Sequence, residues 1–177
     1  EEAIKIYKNL VLELGDQSYT WHEFALLFSE EELDLPIGML SKAIKLQKDE
    51  NFLGSTRLDL ADKLIKKNKL EEALVELNKY QEYRIANNKN LSDKFNELKV
   101  LVKEVQTHKK DNLELYDEYI IVSENFAYQD ISWTELVFIE KWKNDINKER
   151  LSFTNGNNLS LSINANRFSI LKNIEVG

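Results

Sequence analysis

The chain contains no cysteine, one proline and five glycines in 177 residues. Without cysteine there is no disulfide, no thiolate metal site and no cysteine nucleophile. A reducing compartment and a cytoplasmic location are expected. Proline and glycine both weaken helix interiors, so their scarcity favours helices. Pro36 is the sole proline, and Gly15, Gly38, Gly54, Gly156 and Gly177 have none of the spacings that cradle a phosphate. No apolar run approaches the roughly 18 residues that a membrane helix needs. The N-terminal Glu1-Glu2-Ala3-Ile4-Lys5 lacks the basic start and apolar centre of a signal peptide. It begins inside what reads as a helix, and the expectation is a piece of a longer protein. The two histidines, His22 and His108, stand alone and far apart, so no metal site is expected. Nucleophile-elbow, Walker and dinucleotide fingerprints are missing. Neither an enzyme nor a bound cofactor is expected.

The net charge is −7, from 24 basic and 31 acidic side chains. A general polyanion binder needs a positive field, and this chain has none overall. The acidity is concentrated. Residues 111–132 carry Asp111, Glu114, Asp117, Glu118, Glu124 and Asp130 and no lysine or arginine. Glu30-Glu31-Glu32 with Asp34 reads as a solvated helix start, favoured by the helix dipole.

Amphipathic spacing marks a run of helices. Ala3, Ile6, Tyr7, Leu10 and Leu14 form the first stripe, and Gly15 follows where a left-handed C-cap is wanted. Trp21, Phe24, Ala25 and Phe28 form the second. Pro36 opens the third, continued by Met39, Leu40, Ala43, Ile44 and Leu46. Leu58, Ala61, Leu64 and Ile65 give a fourth, ended by a turn at Asn68. Ala73, Leu74, Leu77, Tyr80 and Ile85 give a fifth, ended by Asn87-Asn88-Lys89-Asn90. A sixth begins near Leu91, with Ser92 and Asp93 as cap residues. Its seam of Leu91, Phe95, Leu98, Val102 and Val105 has the narrow spacing of helices lying along each other. Self-association through residues 91–105 is one expectation from it. Lys109-Lys110-Asp111-Asn112 interrupts the pattern, which resumes through Leu113, Tyr116, Ile120 and Phe126.

Glu1-Glu2-Ala3-Ile4 and Glu71-Glu72-Ala73-Leu74 match at close to two periods of about 34 residues. Phe24-Ala25 and Leu60-Ala61 are matching first-helix pairs. A small residue at Ala25, Ala61 or Ala73 lets antiparallel helices approach closely. On these residues the segment 1–90 resembles the tetratricopeptide-repeat family. The best repeat runs from Leu58 through Leu60-Ala61, Leu64, Leu70-Glu71-Glu72-Ala73 and Leu77 to Tyr80; Trp21-His22-Glu23-Phe24-Ala25 with Phe28 opens a more divergent one. Asp49-Glu50 and Ala86-Asn87 stand where the family has a proline. The resemblance implies a concave groove lined by the first helix of each pair. Here that groove would carry Tyr19, His22, Leu26, Ser29, Glu30, Ser55, Leu58, Asp62, Ile65 and Lys66, with another protein or a peptide as partner. Trp21 is expected in the core.

Beyond about residue 130 the character changes. Trp133, Val137, Phe138, Ile139, Leu151, Phe153, Leu159, Leu161, Ile163 and Phe168 include alternating apolar, β-branched and aromatic positions, and Thr154-Asn155-Gly156-Asn157-Asn158 is a hairpin signal. Lys141-Trp142-Lys143-Asn144, then Lys148 and Phe153, resembles the opening of a cold-shock-type OB barrel. The second strand, Lys148-Glu149-Arg150-Leu151-Ser152-Phe153, lacks the family's alternating glycines, and Phe168–Gly177 resembles the linker before a fourth strand. The resemblance implies stacking of bases on Trp142 and Phe153, with Lys141, Lys143, Arg150 and Arg167 meeting phosphates.

The expected architecture is therefore α+β. Helical hairpins of an α-solenoid fill 1–90, capping and connecting helices 91–130, and a small antiparallel β unit 131–177. The expected function is a non-enzymatic protein-interaction scaffold. Single-stranded RNA or DNA binding by the β segment is the alternative.

Overall fold

A computed structural model of the chain describes residues 2–132 and 134–165. Trp133, Arg167 and the segment Phe168–Gly177 lie outside the described residues. The chain divides into two compact units, Glu1–Asp130 and Ile131–Gly177. Seven α-helices, then a three-stranded antiparallel sheet, make up the described secondary structure together with one 3-10 turn, so the class is α+β.

In the first unit, α1 (Glu2–Leu14) buries Val11 and packs Ile4 and Tyr7 inward, while Ile6 stays out. The inward stripe is thus rotated from the one read in the sequence. Gly15, expected to be left-handed, has no positive φ. Its small size serves close packing: a Cβ there would lie 2.4 Å from the Val11 carbonyl oxygen. The Gly15 carbonyl accepts the Trp21 indole N–H at 2.9 Å. α2 (Ser18–Ala25) turns Thr20, Trp21, Phe24 and Ala25 inward. Phe24 stacks on Tyr7, ring centroids 5.5 Å apart.

α3 (Asp34–Leu46) is the centre of the unit. Pro36, Ile37, Gly38, Met39, Leu40, Ser41, Ala43 and Ile44 are all buried, which is apolar packing on nearly every side. It contacts α2 before it and α4 (Gly54–Lys66) after it. α4 and α5 (Leu70–Ala86) form the next hairpin, turning at Asn68 with φ 60°. Phe24, Ala25, Leu60 and Ala61 are all buried. Ala73 is buried and its sequence counterpart Ala3 is exposed.

α6 (Asp93–Leu101) starts at Ser92, whose hydroxyl accepts the Phe95 N–H at 3.3 Å. Phe95, Leu98 and Val102 are buried, with Leu91 and Val105 packed beside them. The seam expected to carry self-association thus lies against the unit's own core. Tyr80 stacks on Phe95 at 5.4 Å.

α7 (Leu113–Tyr128) then folds back along α3, the most extensive helix pairing in the unit. Gly38 makes this possible. A Cβ on it would sit 2.1 Å from the Tyr119 carbonyl oxygen and 2.8 Å from Ser123 Oγ. The far end of α7 brings Phe126 against Phe24 and Phe28, centroids 6.3 and 5.5 Å away. Lys42 pairs with Glu124 at 2.7 Å and Lys45 with Asp117 at 2.5 Å, joining α3 to α7.

The second unit is a meander in the order β1-β2-β3, with β1 Val137–Lys143, β2 Glu149–Thr154 and β3 Ser160–Asn164. Phe138 pairs with Phe153, Lys141 with Leu151 and Trp142 with Arg150; a bulge falls between Phe138 and Glu140. Leu151 is buried with Phe138, Phe153 and Ala165, and Leu136 and Ile163 flank them.

Candidate functional site

Helices α2, α4 and α6 are joined by polar side chains. On α2 the outward positions are Tyr19, His22 and Glu23, with Leu26 just past its end, because Thr20, Trp21, Phe24 and Ala25 occupy the core. On α4 the outward positions are Ser55, Asp59, Asp62 and Lys66, because Thr56, Arg57, Leu58, Leu60, Ala61 and Leu64 point inward. His22 Nε2 lies 2.7 Å from Asp59 Oδ2, and the other Asp59 oxygen takes the Lys94 ammonium from α6. Lys66 binds Asp62 one turn away at 3.0 Å and also reaches Glu30, beyond the end of α2.

These contacts set the local electrostatics. Partial burial works against the Asp59 charge, but the hydrogen bonds from His22 and Lys94 outweigh it and hold the carboxyl below its ordinary range. Glu30 is held low by its hydrogen bond from Lys66. Lys66 is held above its ordinary value, first by Glu30 and, against partial burial, also by Asp62.

Of the residues expected on this groove, Glu30, Asp62 and Lys66 are brought into direct contact, and His22 is tied to α4 through Asp59. Tyr19, Leu26, Ser29 and Ser55 are exposed. Ile65 is half-buried against the core, and Leu58 is 5% exposed, too deep to meet a partner without repacking. Asp59 and Lys94, the two residues that link three helices, are not visible in the helical pattern. Asp59 sits between Leu58 and Leu60 with no local mark, and its partners come from distant helices.

Asp59, His22 and Thr56 superficially line up like a nucleophilic triad, since Thr56 Oγ1 is 3.4 Å from His22 Nδ1. Thr56 is 2% exposed, however, so no substrate carbonyl can reach its hydroxyl. Among the described residues no three histidine or acidic side chains converge on a metal position. Among them, too, no helix is long and apolar enough to cross a membrane.

A second polar cluster lies in the interior. Glu76 on α5 has no exposed surface, and its Oε2 accepts Arg57 Nη1 at 2.6 Å. Its Oε1 accepts Asn112 Nδ2 at 2.7 Å and the Tyr116 hydroxyl. Arg57 also binds Glu50 through Nη2 at 2.7 Å and Nε at 3.1 Å. Burial opposes the Arg57 charge, yet Glu50 and Glu76 together keep its pKa above the ordinary value. Burial, reinforced by the Glu76 charge, pushes the Tyr116 phenol up. This cluster ties the start of α7 to the α4–α5 hairpin.

In the second unit, register separates the two aromatics expected to stack bases. Phe153 pairs with Phe138 and Trp142 with Arg150, and Arg150 and Phe153 stand three residues apart on β2. Side chains alternate along a strand, so Trp142 and Phe153 project from opposite faces. Phe153 belongs to the apolar cluster, while Trp142 donates its indole N–H to Ser152 at 2.8 Å. Arg150 Nη2 donates to the Ser162 carbonyl at 2.6 Å, and Lys141 pairs with Glu149 at 3.2 Å. Lys143 is exposed. Two stacking rings on one surface are therefore not brought together.

Residues 1–121 match the family model described as Domain of unknown function (DUF7017). No curated protein and no solved structure matches the chain.

Proposed function

We propose that this chain, which belongs to the DUF7017 family, is a non-enzymatic protein-interaction scaffold of the tetratricopeptide type. A peptide or helix of another protein is its ligand, taken along the face shared by α2, α4 and α6. One observation carries the reading. His22, Asp59 and Lys94 link three consecutive outward helices into one polar surface, while Tyr19 and Leu26 beside them are 59% and 52% exposed. A face fixed in shape by ion pairs and left with free apolar side chains is pre-organised for a partner, which lowers the ordering cost of binding. The repeat equivalence of Phe24-Ala25 and Leu60-Ala61 supports the tetratricopeptide assignment.

Co-purification from native lysate tests it, comparing the chain with a variant carrying Asp62→Lys and Lys66→Glu. Loss of specific partners in the variant is expected. An unchanged partner set rejects the face. Titration with labelled single-stranded RNA and DNA at low salt distinguishes this reading from nucleic-acid binding, whose affinity falls steeply with added salt.

A further inference from the structure

The turn joining β2 to β3 holds an asparagine directly before a glycine. Asn155 is the one asparagine followed by glycine in the sequence. We propose that Asn155 is a self-modification site, converting through a cyclic succinimide to aspartate and isoaspartate. This inference is independent of the proposed function.

The chemistry needs a bare backbone nitrogen after the asparagine and an electrophilic side-chain carbon. Gly156 is exposed with φ 78°, and nothing lies within 4 Å of the position its Cβ would take. Gly156 therefore brings no side chain of its own to hinder attack of its nitrogen on Asn155 Cγ. Asn155 Oδ1 accepts two backbone N–H groups, from Asn157 at 3.0 Å and from Leu159 at 3.1 Å. Those donors polarise the side-chain carbonyl and point at the oxygen on which negative charge collects during attack, the role of an oxyanion hole. Gly156 N–H donates to Thr154 Oγ1 at 3.2 Å, a long bond that the nitrogen gives up on losing its proton.

The steps balance with water as the co-reactant. The Gly156 nitrogen loses its proton to solvent base and forms a bond to Asn155 Cγ. The tetrahedral centre collapses, the Cγ–Nδ2 bond breaks, and the amide leaves as ammonia after taking a proton from water. Water then adds to one imide carbonyl. Opening at Cγ gives aspartate; opening at the backbone carbonyl gives isoaspartate, with the chain rerouted through Cβ. Each product gains one negative charge and about one dalton.

Other turn asparagines lack the opening. Asn68, Asn88 and Asn147 all have positive φ, but each is followed by lysine, not glycine, so a Cβ stands next to the attacking nitrogen. The products differ in what they do to the turn. An aspartate at 155 keeps both Oδ1 hydrogen bonds. Isoaspartate inserts a methylene and displaces Asn155 N–H from the Leu159 carbonyl, now 3.2 Å away.

The test is to incubate the full folded chain at mildly alkaline pH beside a synthetic peptide spanning Leu151–Leu161. Both are digested at acid pH, and the mass and fragmentation of the peptide holding Asn155 are followed. An N155Q chain serves as the control. The proposal expects conversion at Asn155 in the folded chain and none at that position in N155Q. It is overturned if the folded chain stays unmodified while the peptide converts, or if conversion falls at other asparagines and spares Asn155.

Discussion

Arg57 Nη1 and Glu76 Oε2 lie 2.6 Å apart, with 4% and 0% of their side chains exposed. Few ion pairs are so fully removed from water, and this one anchors both Asn112 and Tyr116 at the start of α7. The first unit therefore has a charged fastener inside a largely apolar core.

Removing one partner leaves an uncompensated buried charge, at a cost of about 3–5 kcal/mol. Arg57→Met should lose that much in urea unfolding followed by helical circular dichroism. A loss below about 0.5 kcal/mol, the scale of an ordinary surface change, would show that the pair does not hold the fold.

Tyr116→Phe deletes a hydroxyl bonded to a charged acceptor, worth about 1.5–3 kcal/mol. It should also change the alkaline limb of the stability profile. The Tyr116 pKa is raised on folding, by burial first. The unfolded chain therefore releases its proton first, near the ordinary tyrosine value of about 10. Stability is complete below that value and falls as pH rises above it. The fall should be shallower in the variant; identical slopes would contradict the assignment.

On the acid side Asp59 gives the opposite sign. Its folded pKa is depressed, so the unfolded chain binds more protons at low pH. Its contribution is present above the ordinary carboxylate range and is lost as pH falls through the folded value. His22→Ala removes one of the bonds that lower it. Carboxyl NMR titration should show the Asp59 midpoint moving up in that variant, and a fixed midpoint would refute the His22–Asp59 contact.

Gly38→Ala must push α3 and α7 apart, because its Cβ would fall 2.1 Å from a backbone oxygen that cannot swing aside. A loss of at least the 1–3 kcal/mol typical of overpacking is expected, roughly in that range or beyond. Gly54→Ala is the control, since its nearest contact would be an ordinary 3.5 Å to the Tyr80 ring. Equal behaviour of the two variants in thermal melts would contradict the α3–α7 packing.

Local signals carried much of this fold. Ser92 as a cap, Asn68 as a turn and the hairpin at Asn155-Gly156 each depend on a few neighbouring residues, and each stands where the pattern places it. Long-range packing was not legible. The return of α7 onto α3 leaves only an indirect trace, the buried run around Gly38 that is apolar on both sides of the helix. Glu76 looks in sequence like its exposed neighbour Glu71, because its partner Arg57 is on another helix. The rotated stripe on α1 shows the same limit: Ile6 and Val11 are equally apolar, and the inward face depends on what α1 meets in α2 and α7, as where Tyr7 stacks on Phe24. At the candidate site, the family resemblance singles out Tyr19, His22, Leu26 and Lys66. It does not single out Asp59 and Lys94, since the contacts that matter join separate helices.

Photo-crosslinking tests the central claim most directly. A photoreactive amino acid replaces Tyr19 on the α2–α4–α6 face, or Ile121 on the exposed side of α7 as a reference, in the full chain expressed in its own host. A discrete crosslinked protein is expected from the Tyr19 position and none from Ile121. That product should disappear when Asp62→Lys and Lys66→Glu are added. Crosslinking that is equal at both positions, or that survives the charge reversal, would contradict that claim.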